Sequence, residues 1–271
     1  MLRNVSLEAL SPPVELDPVA AKRGKVLVAR DDLLLGGTKQ RAIAPFLRDQ
    51  AAKGFEEFVY GSPPPGFAQV ALASTCQQMG LTATIFCDDM DHEGIPSATL
   101  HEFSRLAHSF GAKIYTVPHL HQAERLADEY AAEEPTRRQR VPLGFAVEEF
   151  ALYLRAEIEK QWQRIVGYAG GTPKAMWIPV GSATLGNVFR DVLPDEVTLR
   201  AVNVRVLPDD DERLVRFAKR ANVVMYKTPE RFAEPCEVAA PVPSNLYYDS
   251  KLWRFIRDEA EDHDVWWNVA R

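Results

Sequence analysis

The sequence predicts an α/β protein built on mostly parallel sheets. Short apolar segments alternate with longer amphipathic ones along nearly all 271 residues. The short segments are rich in β-branched and aromatic residues and end at Gly, Pro or charged residues, as strands do. The composition, 46% hydrophobic and 26% charged, is that of an ordinary globular protein. Near-continuous apolar strands separated by helices indicate parallel sheets covered by helices on both faces.

Strands and helices alternate in a regular order. The apolar segments predict strands at 25–30, 57–60, 82–87, 113–117, 175–180, 199–206, 222–226 and 264–269. The amphipathic segments predict helices at 41–53, 67–79, 97–110, 122–132, 147–166 and 211–220. Gly80 and Gly111 directly follow two of these helices, where a left-handed glycine ends a helix without strain.

The most polar interruption of this alternation is 130–140, which predicts a surface connection. Its basic cluster, Arg137-Arg138-Gln139-Arg140, is a candidate phosphate or nucleic-acid contact. A solvated loop is the favoured interpretation, because no aromatic residues are interleaved with the arginines and no second basic cluster accompanies them.

Charge and cysteine content limit the function classes. A formal net charge of −6 gives no global attraction to nucleic acid or anionic membranes. Three scattered cysteines are typical of a reducing compartment, which predicts a cytoplasmic protein. No apolar segment is long enough for a membrane span, and the first 18 residues lack the apolar core of a signal peptide.

Residues 36–41 read Gly-Gly-Thr-Lys-Gln-Arg and join a strand to a helix. Lys39 stands at the helix start, close to the positive N-terminal amides, which favours a lowered pKa. A lowered pKa supplies the neutral amine that Schiff-base chemistry needs. The alternative is an ordinary capping turn with a surface lysine.

Two further segments carry candidate chemistry. Gly181–Gly186 is a small-residue turn between a strand and a helix, so its amides and two hydroxyls form an anion site suited to a phosphate ester. It matches neither the dinucleotide fingerprint nor the nucleoside-triphosphate loop. In the second segment, 247–251, Asp249 follows two tyrosines at a helix start, where a carboxylate is also a common N-cap.

Together the three segments resemble the fold-type II pyridoxal-phosphate enzymes, the tryptophan synthase β-like group. The likeness is nearest to aminocyclopropane-carboxylate deaminase and D-cysteine desulfhydrase. The family's Gly-Gly-Asn-Lys-x-Arg turn matches 36–41 with Thr38 in place of Asn, and its phosphate loop matches a shortened 181–186. Its Val-Tyr-Glu-Gly-Lys segment matches 247–251, with Asp249 at the Glu position.

The resemblance implies roles for these residues. Lys39 would hold pyridoxal 5'-phosphate as an imine and then move a proton at the substrate Cα. Asp249 would keep the pyridine nitrogen protonated, so that the ring accepts electrons from Cα. Tyr248 would lie over the active centre as a second catalytic residue. The residues that would cradle the phosphate are Gly181, Ser182, Ala183, Thr184, Leu185 and Gly186.

The chain departs from the family where relatives bind the substrate carboxylate. Relatives carry an Asn after the second strand, whereas this chain has three prolines at 63–65, which lack N–H donors. The residues expected to bind substrate are Ser62, Gly66, Phe67 and Tyr247. The family's closing His-Thr-Gly-Gly is replaced by Asn268-Val269-Ala270-Arg271. A metal site at His119 and His121, with Cys87, Asp88, Asp89, Asp91 and His92 upstream, is the disfavoured interpretation. Loop histidines are the favoured one, and no metal site is expected.

Three functions follow from the resemblance. The first is a lyase that forms an aldimine with an amino acid or similar substrate and eliminates or deaminates at Cα. The second is a decarboxylase of an amino-acid adduct on a larger molecule, such as a modified base in DNA, in which case nucleic acid is a partner. The third is a degenerate relative that only binds a ligand.

The resemblance also implies a two-lobed architecture with the cofactor in the cleft. Residues 1–43 and 143–271 form the predicted larger, cofactor-binding domain, and 44–142 the smaller one. Family habit predicts a homodimer.

Overall fold

The computed structural model describes residues 6–88 and 100–271. The chain divides into two compact units of similar size. The first unit comprises Met1–Pro12 and Leu35–Tyr153, and the second comprises Pro13–Leu34 and Leu154–Arg271. These contact units place 35–43 and 143–153 together with the middle of the chain, whereas the sequence assigned both segments to the larger domain.

The described elements alternate as the sequence predicts. In chain order they are α1 (Leu7–Leu10), β1 (Leu16–Ala21), β2 (Gly24–Arg30), α2 (Gly37–Ala52), β3 (Glu57–Ser62), α3 (Ala68–Met79), β4 (Thr82–Asp88), α4 (Glu102–Ser109), β5 (Lys113–Val117), α5 (Leu120–Glu133), β6 (Arg138–Val141), α6 (Glu148–Ala169), β7 (Ala175–Val180), α7 (Thr184–Val192), β8 (Thr198–Asn203), α8 (Glu212–Ala218), β9 (Val223–Lys227), α9 (Trp253–Glu259) and β10 (Val265–Asn268). Short 3-10 turns lie at Asp31–Leu33, Leu143–Phe145 and Asp249–Leu252.

The first unit holds a four-stranded parallel sheet in the order β5-β4-β3-β6. Helix α5 packs on it through small residues at every fourth position, Ala123, Ala127 and Ala131, which meet Val59 and Phe86. Small side chains let the helix backbone approach the sheet closely. At Gly61 a Cβ atom would lie 2.9 Å from the Cα of Glu124, so this glycine is required by the close approach.

The second unit holds a six-stranded sheet in the order β1-β2-β10-β7-β8-β9. Only β1 is antiparallel among its described strands. Tryptophans fill the core on both sides of β10. Trp266 stacks on Trp253 of α9 at a centroid distance of 5.9 Å. Trp267 points to the opposite face and meets Phe189 of α7 at 4.8 Å. These aromatic contacts pack α9 and α7 against opposite faces of the sheet.

Three parallel strands in the middle of this sheet end side by side. Strands β2, β10 and β7 are neighbours, and each runs directly into a segment of chemical interest. These segments are the 3-10 turn Asp31–Leu33, residues 269–270 and the small-residue turn 181–183. Because parallel strands share one carboxyl edge, the three segments lie at the same edge of the second unit's sheet, where α/β proteins bind ligands. We call it the carboxyl edge.

Two edge strands, β1 and β6, were not predicted from the sequence. Strand β1 contains Pro18 and is partly exposed, so it lacks the apolar run that marks a buried strand. The interpretation of 130–140 as a surface connection is wrong, because α5 extends to Glu133 and β6 pairs with β3. The predicted helix at 97–110 begins at Glu102 in the described residues, and 97–99 lie outside them.

The basic cluster on β6 is matched by carboxylates. Arg137 pairs with Glu134 at 2.7 Å, Arg138 with Glu133 at 2.9 Å, and Arg140 with Asp128 at 2.7 Å. Acid partners therefore neutralise this edge of the sheet, which argues against an anion-binding role. Across the described residues, no helix combines the length and the apolar character that a bilayer crossing demands.

We expect Gly61→Ala to lower the free energy of unfolding by about 1–3 kcal/mol, because the added methyl group meets the backbone of α5. Gly167→Ala is the matched control. Gly167 lies inside α6 with nothing within 4 Å of a built Cβ, so alanine there should be neutral or stabilising by up to about 1 kcal/mol. Urea denaturation of both variants measures the difference. Equal effects at the two positions would contradict the close approach of α5 and β3.

Candidate active site

The turn before Lys39 is fixed by its contact with a neighbouring helix. Gly37 has a φ of +60°, a conformation that favours glycine. At Gly36 a Cβ atom would lie 2.9 Å from the Cα of Ala71 in α3. The two glycines therefore let the chain turn directly against α3, and Lys39 enters the first turn of α2.

Lys39 is half-buried, and burial lowers the pKa of its amine to about 8. Among the described residues no hydrogen-bond or ion-pair partner of this amine is found. About a tenth of the amine is then neutral at pH 7, far more than for a lysine in water. Burial, not the helix terminus that the sequence suggested, is the physical cause. The arrangement suits a nucleophilic amine.

Gln40 holds the lysine turn in place and was not singled out from the sequence. Its Oε1 accepts a hydrogen bond from the Gly36 amide at 2.9 Å, and its Nε2 donates to the Leu10 carbonyl at 2.9 Å. Arg41 next to it donates to the Ser11 hydroxyl at 3.0 Å. The N-terminal segment is thereby tied to the first turn of α2. Only its long-range partners reveal this role.

The turn 181–186 has the shape of an anion cradle. Ala183 adopts a left-handed φ of +65° and is the N-cap of α7. It provides no side-chain cap, so the first backbone N–H groups of this nine-residue helix are not used by a capping side chain. Ser182 and Thr184 bring their hydroxyl oxygens to 3.3 Å from each other. A Cβ atom at Gly186 would lie 2.6 Å from the Phe217 ring, so only glycine fits there. The turn is partly exposed and fits a phosphate ester.

Asp249 is a fully buried carboxylate beside the end of β10. Its Oδ1 accepts from the Val269 amide at 2.7 Å and its Oδ2 from the Ala270 amide at 3.1 Å. Burial raises the pKa of Asp249 well above its usual range, and the charge of Asp32 raises it further. A protonated ring nitrogen beside this carboxyl would stabilise the ionised form, so the site fits a pyridinium group.

The other buried acids nearby already have partners. Asp31 accepts a hydrogen bond from the Trp267 indole at 3.0 Å. Asp32 forms a two-point ion pair with Arg30, with nitrogen–oxygen distances of 2.7 and 2.8 Å. Arg30 therefore pairs with Asp32 and Asp17, and its guanidinium forms no hydrogen bond with Asp249.

The residues next to Asp249 in the chain have contacts of their own. Tyr248 is half-buried and meets the Phe232 ring edge-on at a centroid distance of 5.1 Å. The Tyr247 amide donates to the Asn245 side chain at 3.0 Å. Lys251 is buried and donates to the Arg231 carbonyl at 2.8 Å. Lys251 thus anchors the 3-10 turn, although burial lowers its pKa to about 8 as well.

The proline loop after β3 satisfies its own polar groups. The Ser62 hydroxyl donates to the Pro63 carbonyl at 2.9 Å, and Nε2 of the Gln69 side chain donates to the Pro64 carbonyl at 3.0 Å. At Gly66 a Cβ atom would lie 2.7 Å from the Ser62 Oγ, so the loop is tightly closed. Phe67 packs edge-on against Phe103 at 5.1 Å. The Ser62 hydroxyl is therefore engaged in a hydrogen bond within the loop.

The predicted site residues fall into two groups. Lys39, Ser62, Gly66 and Phe67 belong to the first unit, in which the lysine turn contacts the helix that follows the proline loop. The second unit carries the phosphate-cradle turn 181–186 together with Tyr247, Tyr248 and Asp249. Its 181–186 turn and the residues that bind Asp249 share the carboxyl edge.

The candidate metal ligands do not form a cluster in the described part of the chain. The interpretation of His121 as a loop residue is wrong, because it lies in the first turn of α5, directly after the N-cap His119 and Leu120. The rings of His119 and His121 stack at a centroid distance of 5.4 Å. No group of three or more His, Cys, Asp or Glu side chains suited to a metal occurs within 6–88 and 100–271. Asp89, Asp91 and His92 lie outside the described residues.

No family model and no curated protein matches the chain. Solved structures do match. A fungal L-serine ammonia-lyase from Rhizomucor miehei has a TM-score of 0.67 at 15% identity, covering 96% of this chain and 94% of its own. An ACC deaminase homologue has a TM-score of 0.70 at 16% identity, covering 97% and 93%.

A third similar structure is the diaminopropionate ammonia lyase of Escherichia coli in complex with an aminoacrylate-PLP azomethine reaction intermediate. It has a TM-score of 0.64 at 12% identity and covers 95% of this chain and 84% of its own. These likenesses confirm the predicted α/β, fold-type II architecture with two helix-covered, largely parallel sheets.

We expect Lys39→Met to raise the free energy of unfolding most below pH 8. The lowered pKa of Lys39, about 8 against an ordinary 10.5, means that the unfolded chain binds more protons between these values. Wild-type stability therefore rises with pH across that window, and the advantage of methionine shrinks toward pH 10.5. Urea denaturation at pH 7 and at pH 10, without added ligand, measures this change.

The control is Lys53→Met, which replaces an exposed lysine directly after the same helix. This exposed position should change the free energy of unfolding by less than about 0.5 kcal/mol. A Lys39→Met effect that is independent of pH would contradict the burial of the Lys39 amine.

Proposed function

We propose that the protein is a pyridoxal-phosphate-dependent lyase that acts at the Cα of an amino acid or a similar amine, by elimination or deamination. The observation that carries this proposal is Lys39, an amine of lowered pKa without a partner among the described residues, presented by a glycine turn. Two independent features support it, the phosphate cradle at 181–186 and the buried carboxylate of Asp249.

The residues present fit the cofactor. The uncapped start of α7 would hold the phosphate ester, and the carboxylate of Asp249 would hold the ring nitrogen. Lys39 would hold the aldehyde carbon through its amine. When bound, pyridoxal phosphate supplies an aldehyde that condenses with amines and a ring that delocalises negative charge from Cα.

Each of these residues has a separate proposed role in the reaction. Asp249, held by two amide donors and out of contact with water, keeps the proton on the ring nitrogen. Lys39, with a pKa of about 8, takes and returns the proton at Cα near neutral pH. Tyr248 is proposed as the second catalytic residue, and Tyr247, Gly66 and Phe67 as contacts to the substrate. Ser62 shapes the proline loop through its bond to Pro63.

Small amino acids are the proposed substrates. Two of the similar structures are ammonia-lyases, of L-serine and of diaminopropionate, and a third is an ACC deaminase homologue. They support release of ammonia in preference to carbon dioxide. Decarboxylation of a nucleic-acid adduct gains no support, because the cluster at 137–140 is matched by carboxylates. Binding without chemistry gains none from the similar structures, which are enzymes by name. Assembly as a homodimer and a cytoplasmic location stay predictions.

Titration with pyridoxal phosphate tests the cofactor. We expect the purified protein to turn yellow, and borohydride to fix the group on Lys39, as located by mass spectrometry of peptides. Lys39→Ala should abolish the coloured band, whereas Lys53→Ala, at the end of the same helix, should keep it. A wild-type protein that stays colourless would refute the proposal and favour a ligand-binding relative.

Ammonia release tests the reaction. Wild-type protein loaded with pyridoxal phosphate should release ammonia from at least one small amino acid, in an assay that couples ammonia to NADH oxidation. Asp249→Asn should keep the coloured band but lower the rate on the order of 100-fold, since an amide does not retain the ring proton. Unchanged turnover in Asp249→Asn would remove Asp249 from the mechanism. Carbon dioxide in place of ammonia would establish decarboxylation.

A further inference from the structure

Two asparagines close to Asp249 carry polar atoms without partners. Asn245 is 1% exposed and Asn268 is 0% exposed. Nδ2 of Asn245 and Oδ1 of Asn268 form no hydrogen bond with any residue that the structure describes. A buried amide atom without a partner destabilises the protein unless a bound group satisfies it.

Both side-chain amides have a fixed orientation. Asn245 uses its Oδ1 to accept from the Tyr247 amide at 3.0 Å. Asn268 uses its Nδ2 to donate to the Pro243 carbonyl at 2.8 Å. Rotating either amide by half a turn would set like groups against each other and lose these bonds. Asn245 therefore offers a donor and Asn268 an acceptor.

Backbone bonds join the two asparagines to Asp249. The Asn245 amide donates to the Ala270 carbonyl at 2.8 Å, and the Ala270 amide donates to the Asp249 carboxylate at 3.1 Å. Asn268 is the last residue of β10, two positions before Ala270. Its strand lies between β2 and β7, so Asn268 stands at the carboxyl edge next to the strand that leads into the phosphate cradle.

We propose that Asn245 and Asn268 are ligand-binding residues that contact the same heterocyclic ring as Asp249. The Asn245 Nδ2 donates to the phenolic oxygen of the ring. The Asn268 Oδ1 shares the single N–H of the ring nitrogen with Asp249 as the second acceptor of a three-centre hydrogen bond. Pyridoxal phosphate carries its nitrogen and its phenolic oxygen on one side of the ring, separated by one methyl-bearing carbon. One donor and one acceptor from a single cluster complement this edge. The inference rests on the proposed function.

Pyridoxine 5'-phosphate is the probe, because it has the same ring edge and phosphate but no aldehyde to react with Lys39. Quenching of tryptophan fluorescence gives its dissociation constant. Asn245→Ser removes the unpartnered donor and keeps an oxygen for the Tyr247 amide. Asn268→Leu removes the acceptor, together with the donor to the Pro243 carbonyl, and keeps the number of side-chain heavy atoms. We expect each substitution to weaken binding about tenfold.

Asn203→Ser is the matched control. Asn203 is also buried, and its Oδ1 accepts from the amide two residues ahead, Arg205, at 2.8 Å, which is the same turn that Asn245 makes. It should bind pyridoxine 5'-phosphate as the wild type does. Without ligand, Asn245→Ser should melt at or above the wild-type temperature, because it loses an unsatisfied group. If Asn245→Ser does not fold, Asn245→Asp, which keeps the acceptor, takes its place.

The outcomes separate this inference from the proposed function. Wild-type protein that binds neither pyridoxal phosphate nor pyridoxine 5'-phosphate overturns the proposed function and the inference with it. Wild-type protein that binds both, together with unchanged affinity in Asn245→Ser and Asn268→Leu, overturns the inference alone. Lower melting temperatures with wild-type affinity would assign the asparagines a purely structural role, which also overturns it.

Discussion

The buried carboxylate of Asp249 is the constraint on which the second unit's candidate site depends. A carboxylate removed from water is costly unless a cation or several donors compensate it. Here two backbone amides supply part of that compensation, and the charge of Asp32 opposes it. The guanidinium of Arg30, which neutralises part of the charge of Asp32, is engaged by Asp32 and Asp17. A ligand that brings its own positive ring nitrogen therefore gains more binding energy at this carboxyl than a neutral one does.

Desolvation acts on Lys39 by the same physics with the opposite sign. Burial disfavours the charged form of either group, so it raises the pKa of Asp249 and lowers that of Lys39. The lysine becomes a better nucleophile and the acid a stronger binder of a cationic partner. One cofactor chemistry uses both shifts, because it needs a neutral amine for condensation and a retained proton on its ring. Gln40 and the two glycines give the amine its place without adding a charge.

The proline loop marks where this chain differs from the enzymes that it resembles. The three prolines at 63–65 lack N–H groups and stand where the resemblance leads us to expect donors to a substrate carboxylate. The side chains of Ser62 and Gln69 donate to carbonyl groups within the loop. Phe67 packs on Phe103 beside it. The loop satisfies its own polar groups and therefore leaves fewer free donors than a loop rich in amides would offer.

Local patterns determined most of the fold and the main site candidates. Strand and helix periodicity gave the α/β class and most element positions, and the turns at Lys39 and at 181–186 are contiguous in the chain. Pairing between distant segments decided the rest. The edge strands β1 and β6 lack an apolar signature. Asn245 and Asn268 become candidate ligand contacts only in the folded chain, where β10 lies between β2 and β7 and their polar atoms are buried without partners among the described residues. Burial and hydrogen-bond satisfaction depend on long-range contacts, so a local sequence pattern does not predict them.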